Sequence, residues 1–204
     1  MVLLVRHGQT ATTGAVLPGR APGLHLAARG RREVEALAER IGQLKTVTAV
    51  YSSPLERARE TAAVIARTRR LAVHVEPGLT ECDVGRWTGL RLTELRKAAE
   101  WRIVQRYPSG FRFPGGESFT EMQARITSAL ARLQARHSGE SIVAVSHADP
   151  IKAAVAHALG IHLDFFQRIM ISPGSVTAIA YGPDGPVVLT VNSRIGELGA
   201  QVTP

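Results

Sequence analysis

The chain has 204 residues, 45% of them apolar, and its 25 Lys and Arg against 17 Asp and Glu give a net charge of +8. This length suits one domain over 1–204, and the apolar share supports a buried core, which excludes wholesale disorder. Because the chain has no apolar run near the roughly 18 residues of a membrane span, no signal-peptide pattern and a single cysteine, Cys82, we expect a cytoplasmic protein with no membrane partner and no disulfide framework.

The first predicted strand is VLLVR at 2–6, an apolar run that ends in a charged residue. A Gly- and Pro-rich loop over 11–28 follows, and its unusual length for a connection indicates a functional role. Apolar residues at helical spacing, with charges between them, predict an amphipathic helix over 29–44. VTAVYS at 47–52 predicts the second strand.

The segment SSPLERARETAAVIA predicts a helix directly after the second strand. Ser53 can act as the N-cap, Pro54 suits the first helical position, and Glu56 completes a capping box. LAVHV at 71–75 predicts a third, short strand after this helix.

The middle of the chain, 79–116, is less regular and contains one short helical candidate near 92–105. A long helix with one apolar stripe is predicted to begin near Glu117. SIVAVS at 141–146 predicts a fourth strand, which again ends next to a histidine.

The last part of the chain predicts one more helix and a pair of strands. Asp149 is the expected N-cap of that helix and Pro150 its first residue. The segment 175–192, with GPDGP at its centre, predicts a hairpin. The alternation of strands and helices favours a three-layer α/β/α sandwich with a mainly parallel central sheet.

Unusual polar side chains follow the predicted strands at the same edge of this sheet. In open parallel sheets, ligands bind at the carboxyl ends of the strands. The first and fourth strands end in histidines, the helix after the second strand begins with an arginine in its first turn, and the loop after the third strand supplies a carboxylic acid. We therefore expect one site to contain Arg6, His7, Arg57, Glu81 and His147.

These residue types suit chemistry on a phosphate group. Arginine forks match phosphate oxygens, and helix starts favour anions. A neutral imidazole can attack phosphorus, and a carboxylic acid can protonate a leaving alkoxide and later accept a proton from water. We expect a hydrogen-bond acceptor that the sequence does not identify, for example a backbone carbonyl, to keep one ring nitrogen of His7 protonated so that the other can attack. Gly8 is expected to let the chain turn without a side chain that would block the phosphate.

Five ordered motifs, LLVRHGQT, SSPLERARETA, LTECDVGRWTG, PGGES and VSHADPIK, resemble the histidine phosphatase superfamily on its phosphoglycerate-mutase-like branch, branch 1. The resemblance covers nearly the whole chain and implies the phosphoglycerate-mutase-like fold. It implies that His7 becomes phosphorylated and that Glu81 is the proton donor. The other members of the implied phosphate pocket are Arg6, Arg57 and His147. The family needs no metal, and we expect no cofactor.

The resemblance also implies four substrate-binding positions. Thr13 stands where many family members have an asparagine that touches phosphate. Gly19 matches a loop glycine near the substrate, and Arg20 beside it is a candidate contact for a substrate anion. Ala148 follows the histidine of the VSHADPIK motif.

The predicted activity is hydrolysis of a small phosphomonoester by a phosphoric monoester hydrolase that resembles the histidine acid phosphatases. The segment between Glu81 and His147 is shorter than in the cofactor-dependent mutases and lacks a clear match for their paired arginines. A phosphomutase of the phosphoglycerate mutase type is therefore the alternative. The expected partner is a small phosphorylated metabolite, and the expected oligomeric state is a monomer or a homodimer.

Other interpretations remain open from the residues alone. Asp149 competes with Glu81 for the acid role, because another branch of the superfamily draws its acid from such a position. His7, His147 and Glu81 could instead hold a metal ion for hydrolysis, although neighbouring arginines would repel the cation. A third interpretation is a non-catalytic protein that binds phosphorylated ligands.

The net charge raises nucleic-acid binding as a further alternative. The arginines are scattered over helices and loops, with no Lys/Arg block, so we expect no nucleic-acid partner. Cys82 is expected to be a structural thiol. Four aromatic side chains are expected either to line the substrate opening or to pack in the core, namely Trp87, Tyr107, Phe111 and Phe113.

Overall fold

The computed structural model describes residues 1–194, which form one six-stranded sheet covered by helices. The strands are β1 (Val2–Arg6), β2 (Val47–Ser52), β3 (Val73–Val75), β4 (Ser141–Ser146), β5 (Val176–Gly182) and β6 (Gly185–Ser193). The helices are α1 (Ala28–Gly42), α2 (Glu56–Arg69), α3 (Leu92–Leu95), α4 (Ala99–Arg106), α5 (Phe119–Arg136) and α6 (Ala148–Ala158). Positions 195–204 of the predicted domain lie outside the described residues, so the boundary at 204 stays a prediction.

The order of the strands across the sheet is β3-β2-β4-β1-β5-β6. The first four strands are mutually parallel, and β5 and β6 add an antiparallel edge. The register pairs Arg6 with Ser146 and Ser52 with Val145, so the carboxyl ends of β1, β2 and β4 lie side by side. This arrangement confirms the predicted α/β class with a mainly parallel sheet.

Two apolar clusters lie on opposite faces of the sheet. Leu4 faces a cluster that includes residues of α5 and α6, whereas Leu3 and Val5 face one built with α1 and α2. β1 and β4 are apolar on both faces because helices cover both sides of the sheet. The strand ends that carry the polar residues are therefore held between two packed layers.

Several predicted elements have the expected type with shifted bounds. The third strand is confined to Val73–Val75, and the candidate near 92–105 is two helices, α3 and α4. The hairpin of β5 and β6 is confirmed. Within 1–194, no helix combines the length and the apolar character that crossing a membrane requires.

The predicted caps of two helices are wrong. Helix α2 begins at Glu56 with Leu55 as N-cap and no side-chain cap bond, and the Glu56 carboxylate accepts a hydrogen bond from the backbone N–H of Gly23 instead. The N-cap of α6 is His147, and Asp149 lies in the first turn. The Ser53 hydroxyl instead forms a hydrogen bond with His147. The site therefore uses a side chain that the local sequence pattern predicts as a helix cap.

Helix α5 begins two residues after the predicted start near Glu117. Ser118 is its N-cap, and its hydroxyl accepts a hydrogen bond from the backbone N–H of Glu121 at 3.2 Å. The Glu121 carboxylate accepts in return from the N–H of Ser118 at 2.9 Å, which completes a capping box. The Glu117 carboxylate is thereby left outside the helix and reaches the loop that carries Glu81.

The loop after His7 and helix α1 approach each other at a pair of glycines. A Cβ atom on Gly8 would lie 2.5 Å from the carbonyl oxygen of Gly30 and 2.8 Å from a methyl group of Val34. A Cβ atom on Gly30 would lie 2.6 Å from the backbone nitrogen of Gln9. Gly8 does not have a positive φ. The close packing of α1 therefore requires this glycine, which differs from the predicted reason of room for a phosphate.

The substitution Gly30→Ala tests this contact. We expect it to lower the free energy of unfolding by about 1–3 kcal/mol, because overpacking against a backbone outweighs the gain of at most ~1 kcal/mol that alanine brings to a helix. Urea denaturation measures the change. Gly182→Ala is the control, because a Cβ there would meet nothing within 4 Å. Equal stability of the two variants would show that α1 can shift without cost.

Candidate active site

His7 lies at the end of β1 with only 5% of its surface exposed. Its Nδ1 donates to the carbonyl oxygen of Gly8 at 2.8 Å, and Arg57 Nε points at its Nε2 from 3.3 Å. A backbone carbonyl only accepts, so the proton is on Nδ1 and the lone pair is on Nε2. Burial and the charges of Arg57 and Arg6 lower the pKa of His7 well below its usual value, so the ring is neutral.

Two arginines, one fully buried and one partly buried, stand beside His7 with unused hydrogen-bond donors. Arg57 is fully buried in the first turn of α2, and its Nη2 donates to the carbonyl oxygen of Gly19 at 2.8 Å. Arg6 donates from Nη1 to the carbonyl oxygen of Ile171 at 2.6 Å. Arg57 Nη1 and Arg6 Nε are buried and have no hydrogen-bond partner within residues 1–194. Buried charged donors of this kind indicate an anion site.

His147 approaches the same point from the end of β4. Its ring lies 5.0 Å from that of His7, and its Nε2 shares a 2.8 Å hydrogen bond with the Ser53 hydroxyl. Its buried Nδ1 has no hydrogen-bond partner in the described part of the chain and lies 3.9 Å from Glu81 Oε2. Burial, with the nearby His7 and arginines, lowers the pKa of His147 well below its usual value. When the Ser53 hydroxyl donates to Nε2, the proton of the neutral ring is on Nδ1, where it can be donated to an anion.

Glu81 supplies the carboxyl group of the site. Its Oε1 accepts from the backbone N–H of Cys82 at 2.9 Å. Burial, followed by the charge of Asp149, raises the pKa of Glu81 to about 7. The carboxyl group can therefore both hold and release a proton near neutral pH. Cys82 itself is buried, and burial raises the pKa of its thiol, which suits a structural role.

The loop that carries Glu81 is held by two arginines from distant parts of the chain. Arg125 of α5 donates to the carbonyl oxygens of Gly78 and Thr80 at 2.9 Å and of Glu81 at 3.3 Å. Arg20 Nε donates to the same Glu81 carbonyl at 2.8 Å. These four hydrogen bonds to backbone carbonyls fix the Glu81 backbone while its carboxyl group faces the histidines.

Glu117 joins the two arginines of this network. Arg20 contacts its carboxylate at 3.0 Å, and Arg125 contacts it at 2.9 and 3.0 Å. The carboxylate also accepts from the backbone N–H of Asp83 at 2.9 Å. The sequence indicates Glu117 only as part of a motif and as the start of a helix. It does not single out Arg125, because a basic residue on a long amphipathic helix resembles an ordinary surface charge.

The structure places the four predicted substrate-binding residues in different surroundings. Thr13 lines the cavity over His7 and accepts from the N–H of Thr10 at 2.9 Å, and Ala148 also lines this cavity. Gly19 supplies the carbonyl that accepts from Arg57, and Arg20 is engaged by the Glu81 loop. Gly19 and Arg20 do not line the cavity.

A cavity of about 320 Å³ opens over His7. The 11–25 and 86–116 regions contribute to its walls. A further wall comes from α6 and from a 3₁₀ helix at Leu163–Arg168, which sequence reasoning did not assign to the site. Of the four aromatic residues left open by the sequence, Trp87 and Phe111 pack in the core, Phe113 reaches both the core and the cavity, and Tyr107 is exposed.

The metal-site interpretation finds no geometric support. In the region that the structure describes, no group of three or more His, Cys, Asp and Glu side chains is placed to hold a metal ion. The buried arginine donors next to His7 favour an anion over a cation at this point.

The fold and the site define an α/β protein that presents a neutral histidine and buried cationic donors at the rim of a parallel sheet. The model of the histidine phosphatase superfamily (branch 1) matches residues 2–194, and the chain belongs to this family. The resemblance seen in the sequence is thus confirmed.

Known relatives agree over most of the chain. It is 29% identical over 204 residues to phosphoserine phosphatase 1 of Hydrogenobacter thermophilus, covering 94% of this chain and 91% of that protein. It is 34% identical over 159 residues to a metal-independent phosphoserine phosphatase of Arabidopsis thaliana, covering 74% and 66%. The structure of a mycobacterial glucosyl-3-phosphoglycerate phosphatase is similar with a TM-score of 0.84 at 25% identity, covering 94% of this chain and 98% of the other.

Replacing Arg125 with methionine tests the network behind Glu81. We expect a loss of about 1–3 kcal/mol in the free energy of unfolding, because three carbonyls lose a donor and the Glu117 carboxylate loses one of its two arginines. Urea denaturation measures this loss. Arg132→Met on the same helix is the control, since its contact with Glu76 is a surface ion pair worth about 0–1 kcal/mol. Equal losses would show that Arg125 is only another surface charge.

Asp149→Asn tests the electrostatic coupling to Glu81. Removal of a nearby negative charge favours the ionised carboxylate, so the pKa of Glu81 is expected to fall from about 7 toward its usual range. Carbon-13 NMR titration of the Glu81 carboxyl group measures the pKa. Asp184→Asn, in the exposed turn between β5 and β6, should leave the titration unchanged. A pKa that does not move in Asp149→Asn would contradict the coupling.

Proposed function

We propose that this protein is a metal-independent phosphatase that hydrolyses a small phosphomonoester through a phosphohistidine intermediate on His7. The observation that carries the proposal is the neutral Nε2 of His7 next to three buried side-chain nitrogens without partners in the described chain, on Arg6, Arg57 and His147. Such an arrangement leaves a place for the oxygens of one phosphoryl group against one nucleophile.

In the first step of this proposal, the Nε2 lone pair of His7 attacks phosphorus. A nitrogen–phosphorus bond forms and the bond to the ester oxygen breaks, so the electron pair leaves with the alcohol oxygen. Glu81 gives its proton to that oxygen, and the alcohol departs neutral. The donors of Arg6, Arg57 and His147 stabilise the negative charge on the three remaining phosphoryl oxygens.

In the second step, water takes the place of the alcohol. The Glu81 carboxylate accepts a proton from the water as its oxygen bonds to phosphorus. The nitrogen–phosphorus bond breaks, its electron pair returns to Nε2, and inorganic phosphate leaves. Both steps use the same carboxyl group in opposite directions, which suits a pKa of about 7.

The protonation states also support a phosphoric monoester hydrolase that works on the acid side of neutrality, as a histidine acid phosphatase-like enzyme does. The lowered pKa of His7 keeps the nucleophile neutral in mildly acidic solution, where the Glu81 carboxyl group is protonated. Above pH 7 the acid form of Glu81 is lost, so the first step slows.

The names of the relatives support phosphatase activity on a small phosphorylated metabolite. Under this proposal the protein needs no metal, cofactor or nucleic acid. A cytoplasmic location and a monomeric or dimeric state stay predictions. The acid role is proposed for Glu81, because its carboxyl group lies 3.9 Å from His147 at the histidine pair, whereas Asp149 is paired with Lys152 at 3.2 Å.

Mixing the enzyme with a ³²P-labelled aryl phosphate and quenching it rapidly tests this proposal. We expect an acid-labile label on the wild-type chain and none on His7→Ala, whose release of phosphate falls by a factor of at least about 10³ because the nucleophile is lost. His157→Ala, an exposed histidine of α6, is the matched control and keeps the label.

The outcome also distinguishes the proposed phosphatase from the alternative functions that the sequence leaves open. Unchanged phosphate release by His7→Ala would refute the phosphohistidine route. With the labelled monophosphate of a diol as the substrate, transfer of the label to the second hydroxyl, with no inorganic phosphate released, would identify a phosphomutase. Binding of phosphorylated compounds without label or turnover would identify a non-catalytic binder.

A further inference from the structure

The cavity over His7 has one wall that is apolar and rigid. Leu17, Leu92, Trp101 and Val104 line it, together with Phe113. The Trp101 ring stacks on that of the buried Trp87, with centroids 6.4 Å apart and planes 24° from parallel, so its position is fixed.

This wall is also tied together through its backbone. The N–H of Leu17 donates to the carbonyl of Leu90 at 2.9 Å, and its carbonyl accepts from Gly89 at 2.8 Å. The N–H of Leu92 donates to Ala15 at 3.0 Å. The loop after His7 and the segment before α3 thus form a hydrogen-bonded pair, and the apolar surface is preformed before a ligand enters.

A second wall is polar and electrically balanced. Lys152 Nζ lies 3.2 Å from Asp149 Oδ1 and 3.0 Å from Gln167 Oε1, and all three residues line the cavity. The ammonium group of Lys152 has three N–H donors, of which these contacts use two. Because the Asp149 carboxylate offsets the lysine, the wall offers hydrogen bonds with little net charge.

The phosphate end of the site holds two cations, Arg6 and Arg57, which stand beside His7. The rest of the cavity pairs an apolar surface with the balanced Lys152–Asp149–Gln167 group, and its lining also includes the exposed Arg96. A small zwitterionic alcohol would leave the apolar wall without a partner. A bulkier alcohol with a ring or hydrocarbon face would cover it and exclude water.

We propose that the substrate is the phosphate ester of an alcohol with a ring or hydrocarbon face that packs on Trp101 and an uncharged hydrogen-bonding group that meets Lys152 and Gln167. This inference rests on the proposed phosphatase activity and adds the class of alcohol. It assigns Trp101, Lys152 and Gln167 to substrate selection, although none of them takes part in the chemistry.

Three substrates test the two walls by their kcat/KM values for phosphate release. They are O-phosphoserine, 2-phenylethyl phosphate, and the phosphate ester of 2-(4-hydroxyphenyl)ethanol on its alkyl hydroxyl. The last two have closely similar leaving groups and differ by one ring hydroxyl. We expect the wild-type enzyme to favour both ring substrates over phosphoserine by at least about tenfold, and to favour the hydroxylated one of the pair.

Two variants assign these preferences to the walls. Trp101→Ala is expected to lower kcat/KM for both ring substrates by about tenfold, and so to reduce their advantage over phosphoserine. Lys152→Met keeps the length of the side chain and is expected to remove the preference for the ring hydroxyl. Ile103→Ala, an exposed neighbour on α4, is the control and should keep all the wild-type ratios.

A wild-type preference for phosphoserine would overturn this inference. A Trp101→Ala variant whose kcat/KM falls equally for all three substrates would also overturn it. A hydroxyl preference that survives in Lys152→Met would overturn the assignment of the polar wall. These failures are distinct from failure of the proposed function, in which the wild-type enzyme releases no phosphate or His7→Ala releases it as fast as the wild type.

Discussion

The constraint on which this structure depends is the burial of polar nitrogens around a neutral histidine. Arg57 and His147 are fully buried, and each keeps one side-chain nitrogen without a hydrogen-bond partner among the described residues. Such groups cost free energy when left unpaired, and local contacts alone would not hold them in place. The parallel strands β1 and β4, packed on both faces, supply the rigid support. On one side of this support, the close approach of two glycines packs α1 against the loop after His7.

The same burial sets the protonation of the site. Removing a charge from water disfavours the charged form, so burial lowers the pKa of His7 and raises that of Glu81. The arginines also lower the pKa of the histidine, and Asp149 also raises the pKa of the carboxyl group, although Arg57 and Arg6 oppose that rise. A neutral base and a carboxyl group that can give a proton therefore stand together near neutral pH. The same low-dielectric environment therefore sets the protonation states of both His7 and Glu81.

Chemistry and substrate selection rest on different parts of the fold. The phosphate end is built on strand ends and the first turns of α2 and α6, which the sheet holds in place. The surrounding walls come from the loop after His7, from α3 and α4, and from the parts of α6 and of the 3₁₀ helix that carry Lys152 and Gln167. Changes in the walls can alter the alcohol that fits without moving the nucleophile. The Arg20–Glu117–Arg125 network lies between the phosphate end and the surrounding walls, because it holds Glu81 at the boundary between them.

The sequence by itself determined the strands, the long helices and the five residues that meet at the rim, since apolar periodicity and motifs at strand ends are local signals. Tertiary structure decided what local signals do not contain. Ser53 and Asp149 are predicted as helix caps, but Ser53 bonds to His147, 94 positions away, and the charge of Asp149 raises the pKa of Glu81 on a distant loop. Gly8 is required by helix α1, and Arg125 supports Glu81 from 44 positions away. In each case the partner is distant in sequence, so the role of the residue exists only once the sheet and helices have packed.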